Sequence, residues 1–224
     1  MGLAVYDSGE CEVLVRTDFL NRNGKNQDII YCDEVQRRDC YRIRDLARSG
    51  FQPKVVVDIG AQIGTFSMLV HKHWPRTNIH CFEPVAAQFE VLRRNIPSAQ
   101  ATRTAVIGFY GKESQAELHK CSYHRNDPEA PYRERRRSAL CVDQILEYGK
   151  IGAIDLLKLD CEECEVNILR EFLALNRIRD VTLIRGEWHG GAARELLTQS
   201  VAETHHVEVT SLSNVNGLFF CTRK

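Results

Sequence analysis

Apolar positions in this chain come in short runs, each followed by a stretch whose apolar residues recur every three or four positions. Residues 54–58, Lys-Val-Val-Val-Asp, form a β-branched run suited to a buried strand, and 65–73 reads as a helix behind it. The pattern returns as strand 78–82 with helix 86–95, then strand 102–107 closed by Gly108. It resumes as strand 154–159 with helix 163–175, and strand 181–186 with helix 192–202. Strands alternating with helices of about ten residues predict a mostly parallel sheet covered on both faces. The end differs. Residues 206–212 and 218–222 are both strand-like, and the turn Ser213-Asn-Val-Asn-Gly217 leaves no room for a helix between them. The last pair is therefore expected as an antiparallel hairpin, making seven strands in all.

Two stretches fall outside this alternation. Residues 1–50 hold a loop, Asn21-Arg-Asn-Gly-Lys-Asn26, and an expected helix over 34–49. Residues 109–150 are too long for a simple connection and are expected to carry extra short strands. The organisation expected is an N-terminal loop-and-helix appendage over 1–50 and an α/β domain over 51–224 with an elaborated 109–150 connection.

Composition narrows the partners. At 224 residues and 43% hydrophobic, the chain can bury a full core. Thirty Lys and Arg balance thirty Asp and Glu, which argues against nucleic acid as a partner. The longest uncharged apolar stretch, 59–70, is twelve residues. That is short of the roughly 20 a membrane span needs, so no membrane partner is expected. The first fifteen residues lack the basic and apolar regions of a secretory signal. Tyr6 stands where a myristoylation motif wants Ser or Thr. Nine scattered cysteines then read as reduced thiols in a cytoplasmic protein.

The turn Asp58-Ile-Gly60-Ala-Gln-Ile-Gly64 follows the first strand of the α/β series, where open α/β sheets bind ligands. It lacks the G-x-G-x-x-G spacing that seats a pyrophosphate, and it has no Lys-Ser/Thr pair for a P-loop. Glu83, nineteen residues past Gly64 at the end of the next strand, can accept hydrogen bonds from both hydroxyls of a ribose. A ribose without a pyrophosphate points to an adenosyl group on a smaller carrier, and S-adenosylmethionine fits.

Three blocks in order carry a resemblance: Val57-Asp58-Ile59-Gly60-Ala61-Gln62-Ile63-Gly64, then Phe82-Glu83-Pro84, then Ile154-Asp155-Leu156-Leu157-Lys158-Leu159-Asp160-Cys161-Glu162. With Gly186-Glu187-Trp188-His189 and the terminal hairpin, the chain from about residue 38 onward resembles the FkbM-type methyltransferases. That resemblance implies a Rossmann-like seven-stranded class I methyltransferase sheet, mostly parallel with a C-terminal antiparallel hairpin. It implies O-methylation of a small-molecule hydroxyl, of sugar or natural-product type, with S-adenosylmethionine as cofactor. Asp58, Gly60 and Gly64 would line the methionine portion, Glu83 would hold the ribose and Ala105 would border the adenine, with Ala61, Gln62, Pro84 and Asp160 also binding the cofactor. One departure stands out. The family usually shows Asp-Val-Glu-Gly-x-Glu where this chain has Asp160-Cys-Glu-Glu-Cys-Glu165, so Glu163 replaces a glycine.

Asp160, Glu162, Glu163 and Glu165 crowd four acids into six residues at a strand end, and Glu187 and His189 end the adjacent strand. Methyl transfer to a hydroxyl requires in-line approach and removal of a proton. In one reading His189 is the base, oriented by an acid. In another, Asp160, Glu187 and His189 hold a divalent cation such as Mg²⁺ that acidifies the hydroxyl. The acids can equally do no more than cap the following helix. Cys161-Glu-Glu-Cys164 lacks a second ligand pair for zinc, and neighbouring carboxylates oppose a reactive thiolate. From 120 to 137 six basic residues exceed three acids. Tyr132, Arg133 and Arg135 from that loop, with Glu163, are the candidates for acceptor recognition, although such a loop is often simply solvated. Two alternatives remain at this level: a methyltransferase-like binding module without turnover, and a nicotinamide-dependent oxidoreductase using Glu83. A homo-oligomer is left open.

Overall fold

The structure, a computed structural model, describes residues 2–108, 139–161 and 164–224. The chain opens on an antiparallel hairpin, β1 (Leu3–Asp7) and β2 (Glu12–Arg16), which the sequence pattern did not signal. Helix α1 (Gln27–Cys32) follows and runs into a π-helical turn (Asp33–Arg37), then α2 (Ile43–Arg48). The single helix expected over 34–49 is thus broken. Asp39 and Arg42 both adopt left-handed backbone, at φ 54° and 57°. The Asp39 carboxylate then restarts the helix by accepting from the Ile43 and Arg44 amides at 2.7 and 2.9 Å. This reversal turns Tyr41 inward, where only 3% of it is exposed.

The α/β series comes next. β3 (Val55–Ile59), α3 (Thr65–His73), β4 (Asn78–Phe82) and α4 (Ala86–Asn95) lead to β5 (Gln100–Thr102). The strand expected over 102–107 divides here, because the chain leaves the sheet after Thr102. β6 (Ala105–Val106) pairs instead with β7 (Ala139–Leu140) as a separate parallel ladder. α5 (Val142–Tyr148), β8 (Ile154–Leu159), α6 (Glu165–Ala174), β9 (Val181–His189), α7 (Gly191–Gln199), β10 (His205–Val209) and β11 (Asn216–Arg223) complete the domain.

The main sheet has seven strands in the order β10-β11-β9-β8-β3-β4-β5. From β9 to β5 the pairs are parallel, while β11 runs antiparallel to both β9 and β10. This is the mostly parallel sheet with a terminal hairpin that the periodicity predicted, in the Rossmann-like form the resemblance implied. One core lies between the sheet and α5, α6 and α7, around Leu157, Ile168, Phe172 and Ile184. A second lies on the opposite face against α2, α3 and α4, around Ile43, Phe66, Leu92 and Leu156. The N-terminal hairpin joins the outside of α3 and α4 through Val13, Val15, Ile63 and Val91. Among the described residues no helix is long and apolar enough to cross a membrane.

Candidate active site

The carboxyl ends of β3, β4, β8 and β9 open on one cavity of about 1000 Å³. Its floor comprises Gly60, Ala61 and Gln62 after β3, Glu83 and Pro84 after β4, and Lys158, Asp160 and Cys161 from β8 and its end. Glu187 of β9 and Ala105 also line it. Asp58 and Gly64, expected against the cofactor, are not among the lining residues. The reason is geometric. Asp58 is fully buried beneath the turn, accepting from Ser67 Oγ at 2.7 Å and standing 3.2 Å from Lys158 Nζ. At Gly64 a Cβ would meet Leu92 Cδ1 at 2.8 Å, so this glycine serves close packing of α3 on α4.

The turn itself is tightly held. The Gly60 and Ala61 amides both donate to the Phe82 carbonyl, at 3.0 and 3.1 Å. Lys158 Nζ donates to the Gly60 carbonyl at 2.6 Å. A Cβ at Gly60, where φ is 78°, would lie 1.8 Å from the Asp160 carbonyl oxygen. Only glycine fits there.

Glu83 is 4% exposed. Its two oxygens accept from the Gln62 and Val85 amides at 2.8 and 2.7 Å. Burial pushes its pKa up to about 7, with those two amides opposing the rise. Each oxygen keeps lone-pair capacity for a further donor, as a vicinal diol would supply. Nearby, Gln62 sits at φ 53°, and its buried Nε2 has no partner among the described residues. A lined cavity with an unused amide donor and a buried carboxylate fits the adenosyl ligand implied by the sequence.

At the ends of β8 and β9 Asp160, Glu187 and His189 converge as expected, each offering a ligand atom within 4.8 Å of the others. Asp160 Oδ2 accepts from Tyr41 Oη at 2.8 Å and lies 3.9 Å from Lys158 Nζ. Glu187 Oε1 accepts from Asn216 Nδ2 at 2.8 Å. His189 stands behind Glu187 rather than among the cavity-lining residues, its Nε2 3.7 Å from Glu187 Oε1. Its Nδ1 meets Glu165 Oε1 at 3.1 Å, and Glu165 is fully buried. Burial of the ring disfavours its charge, but the hydrogen bond to Glu165 and the charges of Glu165, Glu187 and Asp160 outweigh it, raising the pKa to about 9. His189 is therefore an imidazolium at neutral pH.

Lys158 and Tyr41 had no role in the sequence analysis. A lysine inside the apolar strand Ile-Asp-Leu-Leu-Lys-Leu was the available signal for the first. Tyr41 had none, since it meets Asp160 across 119 residues of chain. The Cys161 thiol is pushed by burial to about 12, which removes the case for thiolate chemistry at the Cys161/Cys164 pair. All eight described cysteines are free thiols. Tyr132, Arg133, Arg135 and Glu163, the expected acceptor residues, lie outside the described residues.

Comparison with known proteins gives an independent view. Residues 58–215 match the methyltransferase FkbM domain. Methyltransferase sdnD of Sordaria araneosa is 29% identical over 174 residues, covering 61% of this chain and 66% of that protein. The chain thus spans just under two thirds of that relative's length. Among solved structures, the plantazolicin methyltransferase BpumL in complex with SAH aligns at a TM-score of 0.49 and 9% identity, over 88% of this chain and 89% of that one. Precorrin-6y C5,15-methyltransferase from Geobacter metallireducens aligns at 0.46 and 13%, over 82% and 88%.

Proposed function

The chain belongs to the FkbM methyltransferase domain family, and on that premise we propose that it methylates a hydroxyl of a small-molecule acceptor. One observation carries the reading: Glu83 and the glycine turn line the same cavity as Asp160 and Glu187, with His189 behind Glu187. When bound, S-adenosylmethionine supplies an electrophilic methyl on a sulfonium. Glu83 accepts hydrogen bonds from the ribose hydroxyls, and Gln62 Nε2 donates to the polar part of the ligand. Asp160 and Glu187, which line the cavity, orient the acceptor hydroxyl and take its proton. A carboxylate suffices for this, because a hydroxyl becomes strongly acidic as its oxygen gains the methyl. His189, charged and held by Glu165, fixes Glu187 in place and acts as a positioning residue.

A second reading is favoured by the 4.8 Å convergence of Asp160, Glu187 and His189, which suits a divalent cation such as Mg²⁺. Glu165 on the other ring nitrogen would then orient His189 as a ligand. It requires the histidine to lose its proton on binding. Calorimetry with Mg²⁺ and activity after chelation decide it, and no heat with unchanged activity removes the cation.

The test of the main reading is calorimetry with S-adenosylmethionine, S-adenosylhomocysteine and NAD(H) on the wild type and on Glu83→Ala. Losing two charge-assisted hydrogen bonds predicts a weakening of roughly 100-fold or more for the sulfur ligands. Preference for NAD(H), or unchanged affinity in the variant, overturns it. Binding without turnover on any acceptor would leave a binding module.

A further inference from the structure

The N-terminal segment lies ahead of the matched 58–215 region, yet it forms one wall of the cavity through Phe19, Leu20, Tyr31 and Arg38. At about 1000 Å³ the space is at the upper end for a single ligand and has room for an acceptor beside the cofactor. The wall is rigid where it matters. Arg16, 5% exposed, is locked to the fully buried Asp28 by bonds of 2.9 and 2.6 Å from Nε and Nη2. Its guanidinium then stacks 3.8 Å from the centroid of the Phe19 ring. Phe19 is thereby a pre-set aromatic platform whose position does not depend on the ligand. Leu20 and Leu212, both lining the cavity, are 56% and 65% exposed. Apolar side chains left exposed at the cavity suit an apolar occupant.

Arg38 adds a charge to this wall. Arg37, Arg42, Arg44 and Arg48 of the same segment are each ion-paired, with Asp33, Glu208, Glu10 and Asp45. Among the described residues Arg38 makes no ion pair within 4.0 Å, although Glu34, which also lines the cavity, is near enough to feel its charge. Arg38 borders both the main cavity and a smaller hollow of about 390 Å³ beside it.

We propose that this segment forms the acceptor subsite, with Phe19 stacking on a planar ring and Arg38 pairing with an anionic group, so that the acceptor is a planar hydroxylated acid, a carboxylate or a phosphate. The inference rests on the methyl-transfer reading and specifies its substrate class. The guanidinium offers a two-pronged donor for either anion. The hydroxyl to be methylated then lies against Asp160 and Glu187, which line the same cavity.

The test measures binding of caffeate, its neutral amide and phenyl phosphate by ligand-observed NMR, with and without S-adenosylhomocysteine. Wild type, Arg38→Ala, Arg38→Lys and Phe19→Leu are compared. Caffeate or phenyl phosphate is expected to bind at least about tenfold tighter than the amide. Arg38→Ala should close that gap while leaving amide binding unchanged, Arg38→Lys should restore part of it, and Phe19→Leu should weaken the caffeate pair together. The two anions distinguish carboxylate from phosphate. Equal binding of acid and amide, no binding of any probe, or a gap that survives Arg38→Ala overturns the subsite. Calorimetry with S-adenosylhomocysteine on the same samples separates the two failures. If it binds, only the subsite has failed; if it does not, the methyl-transfer reading has failed first.

Discussion

Replacing Glu165 by Gln isolates the electrostatics behind Glu187, which lines the cavity. The substitution keeps an oxygen for His189 Nδ1 but removes the buried charge that meets it at 3.1 Å. In the wild type the imidazole is raised from 6.5 to about 9. That rise corresponds to about 3 kcal/mol in favour of the charged ring. Glu165 is the largest contributor among the groups that raise it, ahead of Glu187 and Asp160. Without it, the His189 titration should fall below the wild-type value, because burial still opposes the charge and only Glu187 and Asp160 remain to favour it. The assay is a pH titration of the histidine Cε1–H resonances, with His189→Gln supplying the assignment among eight histidines. The linkage has a definite sign. A folded pKa above the unfolded 6.5 contributes stability that is complete below 6.5 and is lost as pH rises through about 9. Wild-type stability to denaturant should therefore decline across that window by up to about 3 kcal/mol, and Glu165→Gln should flatten the decline. Turnover should hold level near neutral pH and fall as pH rises through about 9, as the clamp on Glu187 is released. A wild-type His189 titrating at or below 6.5, or one unmoved by Glu165→Gln, would refute the electrostatic argument. A rate that climbs toward pH 9 would instead make neutral His189 the proton acceptor.

Two further substitutions probe the turn. Gly60→Ala places a Cβ 1.8 Å from the Asp160 carbonyl oxygen at φ 78°, so it should lower the melting temperature and remove S-adenosylhomocysteine binding; unchanged melting and affinity would mean the turn yields freely. Lys158→Met leaves the fully buried Asp58 without its cation and should cost about 3–5 kcal/mol in chemical denaturation. A loss under about 1 kcal/mol would show that the buried pair contributes little net stability.

Much of the frame is written locally. The helices expected over 65–73 and 86–95 and the strands over 78–82 and 154–159 have those bounds in the structure, because strong apolar periodicity is a property of neighbouring residues. The same logic placed Asp160 beside Glu187 and His189. Parallel neighbouring strands must end at one edge of the sheet, so side chains that follow them converge. Glycine at 60 and the carboxylate at 83 were legible for the same reason, as a strand, a turn and the end of the next strand.

The N-terminal segment obeyed different rules. Its apolar positions continue a helical period through 34–49, yet the chain turns back at Asp39 and Arg42 and accepts left-handed backbone there. What offsets that strain is long-range: the inward Tyr41 bonded to Asp160, and the Arg42 guanidinium paired with Glu208 of the terminal hairpin. Asp58 likewise carried the marks of a ligand residue, and it was burial against Lys158 and Ser67 that turned it away from the cavity. Within the α/β series, local pattern determined where most strands and helices lie and which strand ends share an edge. Tertiary packing alone decided which polar groups at that edge face the cavity, which are spent holding the turn, and that residues far ahead of the sheet close over it. Those choices depend on partners many residues distant, whose meeting no short window of sequence records.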